Sequence, residues 1–190
     1  PMLRARGITG VFFVSAAGAE ARPRVLNVQK VQLLLARLGG AAFGEDVRAG
    51  LAALECPMVS TPPRAGMYRY DSPADVQVKH FLNYELPFEY ADPLLDTLFA
   101  RHIGHEEECA RGLYLNEAMI REMSAGGMIF GFHTWNHRVL SRLSAEGQRA
   151  ELEGGVEWIR SLTGQQSVPF CYPHGHAHAY NPDTVKILEG

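Results

Sequence analysis

The sequence predicts an α/β fold with parallel strands, and three observations carry that prediction. Short apolar runs too brief for stable helices occur at residues 8–14 (ITGVFFV), 128–132 (MIFGF) and 168–172 (VPFCY). The stretch between the second and third runs repeats apolar residues at helical spacing and is long enough to serve as a crossover between parallel strands. Gly, Pro and capping residues punctuate the chain between these segments. In such an alternation, functional side chains stand at the C-terminal ends of strands.

The remaining elements follow from local signals. Residues 1–6 read as the last turn of a helix closed by Gly7, and 8–14 as a strand buried on both faces. Residues 28–38 carry helical periodicity that stops at Gly39-Gly40, and 45–54 form a second, shorter helix. Residues 56–72 are rich in Pro, Ser, Thr and Gly and include Met67, Tyr68 and Tyr70, which suits a loop excursion rather than an interdomain linker. Helices are expected over 74–83, 93–101 and 106–111, with Glu106, Glu107 and Glu108 on a solvated face. Asn116 caps a helix over 117–125 that Gly126-Gly127 ends. Ser144 caps one long helix over 145–162, with Leu152, Val156, Ile159 and Leu162 on its inner side and Gly164 as terminator. Asn181-Pro182 opens a last helix. No internal repeat is present, and residues 1–190 are expected to form a single domain.

Composition excludes several classes of function. The chain of 190 residues is 46% hydrophobic and 21% charged, the balance of an ordinary globular domain. A net charge of -3 without a Lys/Arg run longer than a dipeptide argues against nucleic acid as a partner. Its apolar stretches fall far short of the roughly 20 residues a membrane span requires. The three cysteines, Cys56, Cys109 and Cys171, are widely spaced and odd in number, so they are expected to be reduced and mostly buried, a usage that leans toward a cytoplasmic setting. The start at Pro1, with no basic-then-apolar leader, is expected of a chain whose native beginning lies elsewhere. Gly10, Gly39-Gly40 and Gly154-Gly155 lack the setting of a phosphate cradle, and no Gly-x-Ser-x-Gly elbow occurs. Oligomeric state is not encoded in any feature of the sequence.

The chemistry concentrates in the histidines. Five of the eight fall between His133 and His178, at the ends of the second and third apolar runs. Two neutral imidazoles four residues apart, His133 and His137, can point at one divalent cation. Chance alone supplies about a third of such a pair at this histidine content, and His174 and His178 form a second one. The alternative is a pair of surface or hydrogen-bonded core histidines. His176 and His178, in the flexible turn after Gly175, suit solvent exposure as well as ligation. Trp135, between these two histidines, is either the wall of a binding groove or a core plug.

The strand that delivers His133-Thr134-x-x-His137, the capped helical segment after it, and the run Phe170-Cys171-Tyr172-Pro173-His174-Gly175 together resemble the polysaccharide deacetylase (NodB-homology) family. The likeness is firm from Leu113 onward, plausible over residues 1–15 and loose between. It implies a partial or distorted (β/α) barrel with parallel strands. It also implies hydrolytic removal of an N- or O-acetyl group from a saccharide. Its divalent metal would be zinc, or cobalt or nickel, held by His133 and His137. Thr134 would steady the ligand loop. The backbone N–H of His174 would be the oxyanion donor, and Trp135, Tyr172 and Pro173 would contact substrate. Cys171 stands where the family has Arg, and His174 where it has Tyr. The family's Asp-Asp pair, which carries the catalytic base and a third metal ligand, has no counterpart, and the segment bearing its general-acid His is expected to lie beyond Gly190. Within the same fold the alternative is an amidohydrolase acting on a small cyclic or ureido amide. A non-catalytic carbohydrate-binding relic is the rival from a different class.

Residues 1–190 by themselves are expected to release little or no acetate from N-acetylated sugar oligomers, even with zinc, cobalt or nickel supplied. Loss of a positioned base alone costs about 10²- to 10⁴-fold in rate. Brisk turnover abolished by His133→Ala would instead place the base among residues present, with His174, His176 and Asp183 the first to test.

Overall fold

The computed structural model describes residues 2–56, 61–63 and 68–189. They divide into two compact units, residues 1–26 with 110–190, and residues 27–109.

In the first unit, helix α1 (Met2–Ala5) ends at Gly7, whose φ of 65° lets its N–H reach Arg4 O and the next N–H reach Leu3 O. Strand β1 (Val11–Val14) pairs in parallel with β2 (Ile129–Phe132), placing Val14 opposite Phe132. Phe170 continues the ladder by a parallel bridge to Phe132, through Phe132 N–H to Pro169 O at 2.9 Å and Cys171 N–H to Phe132 O at 3.1 Å. The third run is therefore parallel to β2, as expected, but pairs at one point only. Pro169 has no N–H to extend the ladder.

The expectation that the first strand is buried on both faces is corrected. Along β1, Val11 and Phe13 are 49% and 42% exposed while Phe12 and Val14 pack inward. The alternation arises because β1 lies at an edge of this small sheet and only one of its faces meets the aromatic cluster. That cluster centres on Phe130, Phe132, Ile120 and Ile159, all essentially fully buried. Burial of each such side chain stabilises the fold by about 1.5–3 kcal/mol.

Helix α6 (Glu117–Ala125) has the predicted cap, with Asn116 Oδ1 accepting from Met119 N at 2.9 Å. The single long helix expected over 145–162 is instead two, α7 (Ala145–Leu152) and α8 (Gly155–Thr163). Glu153 is extended and Gly154 left-handed at φ 75°. Packing decides the break. A Cβ on Gly155 would lie 2.1 Å from the Phe132 ring, so the chain approaches the sheet here at a distance that only glycine permits. Helix α9 (Pro182–Glu189) begins as predicted, Asn181 Oδ1 accepting from the N–H groups of Asp183 and Thr184.

The second unit is helical: α2 (Asn27–Ala53), α3 (Pro73–His80), a π-helical turn at Phe81–Glu85, α4 (Phe88–His102) and the start of α5 (Glu106–Leu113). Gly39, at φ 73° and ψ 159°, kinks α2 where the sequence places a helix boundary. Helix α4 starts before Pro93 rather than at it. Lys30, with only 4% of its side chain exposed, is neutralised by Asp96 and by Glu106 at 2.7 Å. Glu107 and Glu108 are solvated as expected. Of the loop expected over 56–72, residues 57–60 and 64–67, Met67 among them, lie outside the described residues, and Ser72 caps α3. The three cysteines are half-buried rather than buried as expected, Cys56 packing at the edge of the core of the second unit. No helix among the described residues is long and apolar enough to cross a membrane.

Gly155→Ala is expected to destabilise the chain by about 1–3 kcal/mol despite the better helix propensity of alanine, because the added methyl overpacks against Phe132. Urea unfolding of the two proteins measures the difference, and an unchanged midpoint would show that the close approach is not required.

Candidate active site

The parallel pairing of β1 and β2 fixes where the site begins. His133 follows β2 directly, and its N–H continues the ladder to Val14 O at 2.9 Å. The chain then turns sharply. Thr134 and His137 adopt left-handed conformations with φ of 62° and 57°, and His174 does the same at 66°. Positive φ is uncommon for residues other than glycine, and for β-branched Thr it is an outlier that surrounding contacts must hold.

Those contacts come from three directions. The end of β1 supplies Ser15 Oγ, which donates to His133 O at 2.8 Å, and the N–H groups of Ala16 and Ala17, which donate to Thr134 O and Trp135 O. Within the turn, His137 N–H donates to Oγ1 of the fully buried Thr134 at 3.0 Å, so Thr134 does steady the loop. From α7, Glu151 O accepts the Trp135 N–H at 3.2 Å, and the Glu151 carboxylate accepts both the N–H and the Nδ2 of Asn136.

Three imidazoles gather on this frame. The ring centres of His133 and His137 are 4.7 Å apart, and those of His137 and His174 are 5.3 Å apart. Two imidazoles on one zinc ion, with Zn–N of about 2.0–2.1 Å and tetrahedral angles, place their ring centres about 5 Å apart. His133 Nδ1 lies 2.5 Å from Cys171 O, which must accept from it, so the neutral tautomer carries its proton on Nδ1 and leaves Nε2 as a lone-pair donor. Among the described residues His137 Nδ1 has no hydrogen-bond partner, although the atom itself is buried. Among the described residues no three His, Cys, Asp or Glu side chains are gathered as a complete metal site. What the fold assembles is a cluster of imidazoles, in which His133 leaves Nε2 as a lone-pair donor.

All three rings are held neutral. Burial pushes His137 down to about 3, helped by His133 and His174, and pushes His174 down to about 4, helped by His176, His133 and Arg142. His133 is lowered by burial as well, against the opposing effect of its bond to Cys171 O.

The other predicted residues fall in two places. Trp135 packs against Phe132 and Trp158 with its Nε1 donating to Glu153 O at 2.9 Å, which ties it to the break between α7 and α8. Tyr172 stacks on Tyr180 with ring centres 4.5 Å apart, beside the buried Pro173. His176 and His178 lie outside the three-ring group and contact one another. Sequence reasoning did not identify Glu151 or Ser15. The Gly154-Gly155 pair was the available signal for Glu151, since a helix interrupted there frees the last carbonyls of α7 for other donors.

Because the folded rings titrate below the ordinary value near 6.5, the unfolded chain takes up protons that the folded chain does not as pH falls from there toward 3–4. The stability these rings contribute is present above pH 6.5 and is withdrawn on acidification. The melting temperature of metal-free protein is expected to fall between pH 7 and pH 4. His137→Gln should flatten that slope, and an unaltered slope in this variant would contradict the neutral assignment.

Residues 96–189 match the family model described as polysaccharide deacetylase. The "uncharacterized 30.6 kDa protein in fumA 3′ region" of Geobacillus stearothermophilus is 29% identical over 97 residues, which cover 49% of this chain and 36% of that relative. The chain thus spans about a third of the curated relative it matches. The solved Streptococcus pyogenes deacetylase PplD, in complex with acetate, aligns over 95% of this chain and 79% of its own at 17% identity and a TM-score of 0.37, a likeness too distant to define a shared fold. The residues that match the polysaccharide deacetylase model, 96–189, include His133, His137 and His174.

Proposed function

We propose that this chain carries the histidine part of a metal-dependent hydrolase that removes an N- or O-acetyl group from a saccharide. The observation that supports this reading best is the pair of half-buried, neutral imidazoles of His133 and His137 at the end of a strand, at a ring separation compatible with shared ligation of one ion. A divalent ion, most simply zinc with cobalt or nickel as substitutes, would supply Lewis acidity toward water and toward an acyl carbonyl.

The chain's own residues have separable tasks in this reading. His133 offers Nε2 because Cys171 O holds its other nitrogen, and His137 offers a nitrogen that finds no hydrogen-bond partner among the described residues. The backbone N–H of His174, in its left-handed turn before Gly175, serves as a donor to the oxyanion that develops on the acyl carbon. In this reading Tyr172 is the aromatic face against which a sugar ring would lie, whereas Trp135 packs into the aromatic cluster and Pro173 is buried. β1, β2 and the run through Phe170 would then be adjacent staves of a partial (β/α) barrel opening on this side.

Zinc binding tests the proposal. His133→Ala and His137→Ala are each expected to lose bound zinc after mild dialysis, together and to a similar extent, with folding retained by circular dichroism. Zinc retained by both variants would remove the metal centre from these residues. Tyr172→Ala is expected to weaken binding of N-acetylated sugar oligomers while leaving zinc content unchanged, which separates the saccharide assignment from the metal assignment.

A further inference from the structure

The turn from His133 to His137 contains one residue whose side chain is neither a ligand nor packed in the core. Asn136 is met by a buried carboxylate: Glu151, with 6% of its side chain exposed, accepts the Asn136 N–H on Oε2 at 2.8 Å and the Asn136 Nδ2 on Oε1 at 2.7 Å. Arg24 Nη2 donates to the remaining atom of that amide, Oδ1, at 3.3 Å. The main chain of Glu151 also takes the Trp135 N–H, so two consecutive residues between the imidazoles are held by one residue of α7. Arg138 Nε lies 3.9 Å from Glu151 Oε1, close enough to offset its charge but not to replace either bond. Charge-assisted bonds to a buried carboxylate are among the stronger polar contacts, and two at once fix both the position and the rotation of the group they hold.

We propose that Glu151 is a positioning residue for the histidine pair. Acting through Asn136, it holds the left-handed turn at the pitch that presents both imidazoles to one ion. The inference rests on the reading of His133 and His137 as metal ligands. Its geometric core, that Glu151 sets the placement of the two rings, is independent of any metal. The hydrogen-bond polarity is specific. Glu151→Gln places an amide donor against one of two donors, and Asn136→Asp places two carboxylates face to face. The pair Asn136→Asp with Glu151→Gln restores a complementary set, with the Gln amide donating to the Asp carboxylate and the Gln carbonyl accepting the backbone N–H.

The experiment uses the full chain with two readouts: zinc affinity by competition with a chromophoric chelator, and the imidazole resonances of His133 and His137 in metal-free protein by NMR. Each single variant is expected to weaken zinc binding about 10- to 100-fold, the usual effect of removing a group that orients a ligand, and to shift both imidazole signals. The double variant is expected to recover affinity to within a few-fold and to return the signals toward their original positions. A purely structural defect would not be rescued by exchanging the two polarities. Single variants that leave the resonances and zinc affinity unchanged, or a double variant no better than either single one, would overturn the proposal. If His133→Ala binds zinc as the parent does, the metal reading fails, and the metal-free NMR comparison still decides whether Glu151 places the rings.

Discussion

The site depends on a strained turn held rigid. Between the end of β2 and His137 the backbone must pass through left-handed conformations at Thr134 and His137, neither of them glycine. Such residues cost about 1–3 kcal/mol each and persist only where neighbouring contacts over-determine them. Here the carbonyl of His133 is taken by Ser15, those of Thr134 and Trp135 by the N–H groups after β1, and the N–H groups of Trp135 and Asn136 by Glu151. The parallel register of β1 with β2 is what brings the first set of partners into place. The end of α7 brings the second.

The electrostatics of the site follow from that rigidity. Three imidazoles crowded at ring separations of 4.7 and 5.3 Å cannot all be charged at low cost, and burial makes protonation costlier still. The rings are therefore kept as neutral lone-pair donors at physiological pH, the state a transition metal or zinc requires. The bond from His133 to Cys171 O adds direction, since it selects which nitrogen faces outward. Cys171 stands where the family resemblance places an arginine. Because the bond uses the backbone carbonyl, a change of side chain there leaves it intact.

The break between α7 and α8 shows how one packing contact serves two ends. Gly155 lets the chain lie against Phe132 in the aromatic cluster, and the interruption at Glu153 and Gly154 leaves main-chain acceptors for Trp135. Had the helix continued, Glu151 O would have been committed to the intrahelical ladder. The core and the histidine turn are thus coupled through the same few residues.

Much of this was legible in the sequence wherever the signal is local. The caps at Asn116, Ser144 and Asn181, the stop at Gly7, the kink at Gly39 and the strand before His133 are each specified by residues within one turn of the event they cause. The candidate pair His133 and His137 was visible for the same reason, as a spacing along a continuous segment. What only tertiary structure decided are the relations between distant segments: the exposure of one face of β1, the division of 145–162 into two helices, the His174 ring beside His137, and the capture of Asn136 by Glu151. Each depends on which surface a residue meets after packing. A one-dimensional pattern encodes the period and the ends of an element, but not the partner that its faces and its unpaired polar groups will find.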